Sequence, residues 1–129
     1  MQRNDIQNSA DIKLLIDTFY AKVISDEVIG YIFNDIAKVD WPHHLPVMYG
    51  FWEFLLLGNS DGYRGNPIQK HVALHQIHPL KVAHFDRWVS LFQATVDELF
   101  IGEVAEQAKF RALTISETWK PKFDGPFAQ

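Results

Sequence analysis

Between residues 85 and 100 the apolar side chains recur as Phe85, Trp88, Val89, Phe92, Val96, Leu99 and Phe100. That is the 3.6-residue period of a helix with one broad face turned to a core. It is the cleanest such stripe in the chain, and it points to helices packed on helices. Ile12, Leu15, Ile16, Phe19, Tyr20 and Val23 repeat the period and predict an amphipathic helix over 10–25, with Ser9 placed to cap it. A short helical turn over 27–33 and a loop over 34–40 follow. A third helix starts within 41–44 and runs to 57, with Leu45, Met48, Tyr49, Trp52, Leu55 and Leu56 inward and Gly58 as its stop. Pro46 has no N–H for the carbonyl four residues earlier, so this helix is expected to begin near His43 or to be distorted. Residues 59–66 are turn chemistry, and Pro67 suits the first turn of a short helix. Gly102 ends the aromatic helix and a last helix occupies 103–119. Residues 1–9 and 121–129 are expected to be irregular tails of a single domain spanning 1–129. No strand pattern or repeat interrupts this all-α reading.

Composition narrows the chemistry. The chain has 129 residues, enough for one domain with a real core. Aromatic residues make up 14%, with ten Phe and four Trp, which suits a flat apolar ligand as well as a dense core. The net charge of −4 comes without a basic block, so no electrostatic footprint for nucleic acid is present. With no cysteine, disulfides, iron–sulfur clusters and thiolate-held haem are excluded. The first residues lack an apolar signal region and no apolar run reaches membrane-spanning length, so a cytoplasmic location is expected.

The histidines stand ahead of the aromatic helix. His71, His75 and His78 lead into Pro79, and His84, Phe85 and Trp88 open the next helix. A histidine just before such a turn, facing a helix with an inward tryptophan, is placed to hold a haem iron from one side. Two other readings share these residues. His71, His75 and His78 form H-x3-H-x2-H, and the first two share a helical face suited to zinc. Against a non-haem metal site, HExxH and paired Glu-x-x-His are missing, and Pro79 ends the helix at once. Alternatively the chain is a ligand-free helical interaction module in which every aromatic is core.

Four groups of residues, in order, bear on the choice: Phe19 to Val23 with Gly30 to Asn34; Trp41 to His44 with Gly50 to Trp52 and Leu55 to Gly58; Tyr63 to Pro67 leading to His71; and His84, Phe85, Trp88, Leu91 and Phe92. Together they resemble the truncated haemoglobins, specifically group III. The resemblance covers roughly residues 12–118. It implies a globin-like two-over-two helical sandwich around haem b.

It further implies His71 as the proximal ligand, with His75, one turn along the same face, as the competing position. Tyr20 and Trp88 become hydrogen-bond donors in the distal pocket. His44 matches a gate-like distal histidine, but Pro42 and Pro46 flank it, and His43 competes for the role. Phe33, Phe19, Met48, Trp52 and Phe51 are packing candidates, with Phe33 best placed for the haem plane. Arg64, Lys70 and Tyr63 lie on the side of the sequence suited to the haem propionates.

The function implied is reversible binding of dioxygen or another diatomic. Two donors should slow ligand release, which fits redox chemistry such as nitric oxide detoxification or peroxide-type reactions, with a reductase as partner, better than bulk oxygen transport. Fold analogy alone does not choose among these.

Overall fold

The computed structural model describes residues 3–36, 38–58 and 81–124. Four helices dominate: α1 (Ser9–Ile24), α2 (Trp41–Leu57), α3 (Val82–Leu99) and α4 (Glu103–Asp124), with a π-helical turn at Ile32–Ile36. α1 packs on α2 and α3 packs on α4; α1 also meets α3, and α2 meets α4, so two helix pairs form two layers.

α1 buries the stripe its spacing predicts: Ile12, Leu15, Ile16, Phe19, Tyr20 and Val23. Its cap is Asn8 rather than Ser9. The Asn8 side chain accepts the Asp11 N–H, and Ser9, already inside the helix, donates its hydroxyl to Glu53 on α2. After α1 the chain turns back at Gly30, where a Cβ would sit 2.9 Å from the carbonyl oxygens of Val23 and Ile24. Only glycine allows that approach. The π turn reaches Ile36, further than the short helical turn expected.

α2 starts at Trp41, two residues before the start expected from Pro46. His43 and His44 both give their N–H to the Asp40 carbonyl, at 3.0 and 2.8 Å, which secures the first turn. Pro42 falls where an N–H would have no helical partner anyway, and Pro46 removes one internal bond without ending the helix. Gly58, at φ +74°, closes it in the left-handed conformation. Of α2's apolar side chains only Trp52 is fully buried; Leu45, Met48, Tyr49, Leu55 and Leu56 are half-buried.

α3 buries Phe85, Val89, Phe92, Thr95 and Val96. The Lys81 N–H donates to Nδ1 of His84 at 3.0 Å, so this imidazole closes the helix's own first turn. Thr95, polar in a core stripe, donates its hydroxyl back to the Leu91 carbonyl at 2.7 Å.

Of the ends expected to be irregular, residues 121–124 are corrected to helix. Residues 3–8 are irregular but tied down. Asn4 bridges Phe100 and accepts the Ile101 N–H at 3.0 Å, and Ile6 is in the core. Asp5 accepts the N–H groups of Val104 and Ala105 at 3.0 and 2.8 Å, capping α4 from about a hundred residues away. At the other end α4 continues past Pro121 to Asp124. Proline's fixed φ is itself helical, so it removes a hydrogen bond without forbidding the turn.

The centre of the core is aromatic. Phe92 meets Phe19 edge-on at 5.1 Å and stacks on Trp52 at 4.6 Å, tying α3 to α1 and α2. Pairs in these geometries add about 0.5–1.5 kcal/mol beyond burial. No described helix is long and apolar enough to cross a membrane.

Candidate functional site

Three polar side chains from three elements meet inside this aromatic frame. Tyr20 lies on the buried stripe of α1, His44 in the first turns of α2 and Trp88 on the inner side of α3. The Tyr20 ring centroid is 5.6 Å from the His44 imidazole and 5.3 Å from the Trp41 ring. Phe33 of the π turn closes the same space, 6.2 Å from Tyr20 and stacked on Trp41 at 6.1 Å. Trp88 stands edge-on to Phe19 at 5.7 Å and is stacked with Phe92 at 5.8 Å.

Tyr20 is 5% exposed. Burial pushes its phenol well above the ordinary value, and the nearby Trp88 indole offsets only part of that. The hydroxyl is therefore neutral at physiological pH. A neutral phenol keeps its own hydrogen available to an acceptor in the pocket.

His44 points inward and its Nε2 is fully buried, whereas His43 is exposed. Of the two candidates, only His44 shares the pocket with Tyr20. Trp41, which sequence reasoning passed over, belongs to the same wall: its ring is 5.6 Å from His44. The available signal was its i,i+3 spacing from His44 within a helix.

The expected packing residues divide. Phe19 and Trp52 are buried in contact with Phe92, inside the helix–helix core. Phe33, Met48 and Phe51 are half-buried on its margin. Leu45 and Leu55 are likewise half-buried against the core, and Phe33 meets the Tyr20 ring. The candidates His71, His75, His78, Arg64, Lys70 and Tyr63 lie outside the described residues. Among the described residues no cluster of three or more His, Asp or Glu side chains is arranged for a bare metal ion.

Two packed helix pairs that set Tyr20, His44 and Trp88 among aromatic rings make a globin-type fold. No family model matches the chain. It is 31% identical over 112 residues to the group 3 truncated hemoglobin ctb of Campylobacter jejuni, covering 84% of this chain and 85% of that protein. The crystal structure of a group III truncated hemoglobin from Campylobacter jejuni superposes with a TM-score of 0.81 at 29% identity, covering 95% of both chains. The chain belongs to the group III truncated haemoglobins. It is a haem globin that binds diatomic ligands such as oxygen.

Proposed function

We propose that the chain holds haem b through His71 and retains a diatomic ligand on the opposite face through Tyr20. Trp88 acts behind the phenol and His44 beside it. The observation that carries this reading is the buried, neutral Tyr20 phenol, walled by aromatic rings and set beside His44. When bound, the haem supplies an iron that coordinates a diatomic molecule and exchanges electrons.

The chain's own residues supply the rest. His71 would give its Nε2 as the ligand, with the other ring nitrogen held by a hydrogen bond. Phe33, Met48 and Phe51 would pack against the haem, and Arg64, Lys70 and Tyr63 would meet its propionates. Tyr20 donates to the negative charge that dioxygen acquires on binding, and carbon monoxide acquires less of it. Aromatic walls exclude water, which strengthens that hydrogen bond. Retention of this kind suits reaction with the held ligand, such as nitric oxide detoxification or peroxide-type chemistry with a reductase supplying electrons in the cytoplasm. It does not suit oxygen delivery.

Absorption spectra of the haem-loaded protein in ferric, reduced and carbon-monoxide forms test the reading. A sharp Soret band that shifts at each step is expected. His71→Gly should abolish normal axial ligation and added imidazole should restore it. A normal spectrum in His71→Gly together with a collapsed one in His75→Gly would move the ligand one turn.

A further inference from the structure

Tyr20 is covered on one side by two rings that are themselves half-exposed. Trp41 and Phe33 stack on each other at 6.1 Å, and they meet the Tyr20 ring at 5.3 and 6.2 Å. Tyr20 is 5% exposed, whereas both covering rings are half-buried. Asp40, Pro42 and His43, on either side of Trp41, are exposed. The stacked pair is therefore the layer between Tyr20 and solvent on this side. His44 lies inside that layer: its Nε2 is fully buried, and its ring stands 5.6 Å from both Trp41 and Tyr20.

The turn that carries Trp41 has a weak joint behind it. Two side-chain bonds fasten α2 to α1, Tyr49 to Asp17 and Ser9 to Glu53, and both reach α2 beyond Pro46. Pro46 has no N–H, so the Pro42 carbonyl loses the helical bond that would tie the first turn to the next. A proline inside a helix is a common point of bending. Asp40, the N-cap, makes no side-chain bond to the turn either. The turn nevertheless keeps its own shape, because His43 and His44 donate to the Asp40 carbonyl at 3.0 and 2.8 Å. Hinged at Pro46 and held at its outer end by ring contacts, it can swing as one piece without unfolding α2.

We propose that Trp41 is the gate through which a diatomic ligand enters and leaves the Tyr20 pocket, swinging about Pro46 and latched by its stack on Phe33. The gate rests on the reading above that the ligand sits beside Tyr20. It has a kinetic signature that a hydrogen-bond donor lacks. Entry and exit cross the same barrier, so easing it speeds both by one factor and leaves the equilibrium affinity unchanged. Losing a donor speeds exit alone and weakens binding.

The test uses haem-loaded ferrous protein. Dioxygen association is followed after flash photolysis, dissociation by displacement with carbon monoxide, and affinity by equilibrium titration. Trp41→Ala should raise both rates about fivefold, the factor for the ring contacts it removes. Affinity should stay the same, and a larger fraction of photolysed ligand should escape to solvent. Trp41→Phe keeps a ring in the stack, so it should raise both rates less; it supplies the readout if Trp41→Ala does not fold. Pro46→Ala restores the missing N–H and should slow both rates, again about fivefold, the factor for one backbone hydrogen bond. Unchanged rates in the Trp41 variants, a rise in dissociation alone, or parental rates in Pro46→Ala would overturn the proposal. Tyr20→Phe separates that failure from failure of the underlying reading. Faster dissociation there, beside unchanged rates in Trp41→Ala, rejects the gate and keeps the pocket. No change in either variant rejects the pocket and the gate with it.

Discussion

Tyr20 shows how one residue's surroundings decide its chemistry. In water a phenol ionises near pH 10; inside this pocket burial moves ionisation higher, so the group keeps its proton. Dioxygen dissociation should therefore be flat from about pH 6 to pH 10, as stopped-flow mixing with carbon monoxide would show. An alkaline acceleration centred below about pH 10 would point to another titrating group. Tyr20→Phe removes the donor and leaves the ring, so haem should stay bound while dioxygen leaves roughly tenfold faster or more, the scale of a charge-assisted hydrogen bond. An unchanged off-rate would remove Tyr20 from the distal role. Tyr49 is a different tyrosine in the same fold. Burial, followed by its hydrogen bond to Asp17, pushes its phenol up to about 12, and its hydroxyl serves to fasten α2 to α1.

Among the helices, α4 depends most plainly on a distant segment. Its first N–H groups would be orphaned without Asp5, and the chain can bring Asp5 there only because residue 102 is glycine. Gly102 has φ +145°, and a Cβ on it would run into the Asp5 carboxylate. Asp5→Ala should lower stability by about 1–2 kcal/mol, the range for loss of a helix cap, read from the urea midpoint. Gly102→Ala should lower it further, because it adds backbone strain to the lost cap. If both variants matched the parent, the N-terminal strap would carry no stability. α2 is fastened differently, by Ser9–Glu53 near one end and Asp17–Tyr49 in the middle. Those two bonds hold it to α1 while its apolar face is only half covered.

For the folded chain as a unit, two carboxylates link stability to pH. At Asp5 burial opposes the charge, but the backbone N–H groups of Val104, Ala105, Ile6 and Glu103 outweigh it. At Asp26 the Arg87 hydrogen bond leads, against burial, with the Ile29 and Val28 N–H groups adding to it. Both therefore titrate below the ordinary carboxylate value of 3.8 when folded. The unfolded chain takes up these protons first as pH falls. Their contribution is complete above the ordinary value and is lost as pH drops through the folded values. Acid titration followed by far-ultraviolet circular dichroism should show Asp26→Asn less stable than the parent at pH 7, with the gap narrowing below about pH 4. A gap constant with pH would mean that the Asp26 charge contributes nothing.

The helical stripes were legible before any coordinates, because apolar spacing follows directly from helix geometry. Ile12 to Val23 and Phe85 to Val96 are buried where their periods placed them. Tyr20, His44 and Trp88 could be singled out as residues, through the resemblance to a haemoglobin group. What each does to the others could not. The guanidinium on Asp26 and the Asp5 carboxylate on Ala105 join positions 61 and 100 residues apart. Local sequence carries no signal for such pairings, since a charged or polar side chain at a helix surface obeys no apolar period. Likewise Pro46 and Pro121 each argue for a helix boundary, yet both helices run through them. Composition and spacing determined which elements form and in what order they come. Only packing in three dimensions decided which polar groups meet, because that depends on how helices distant in sequence settle against one another.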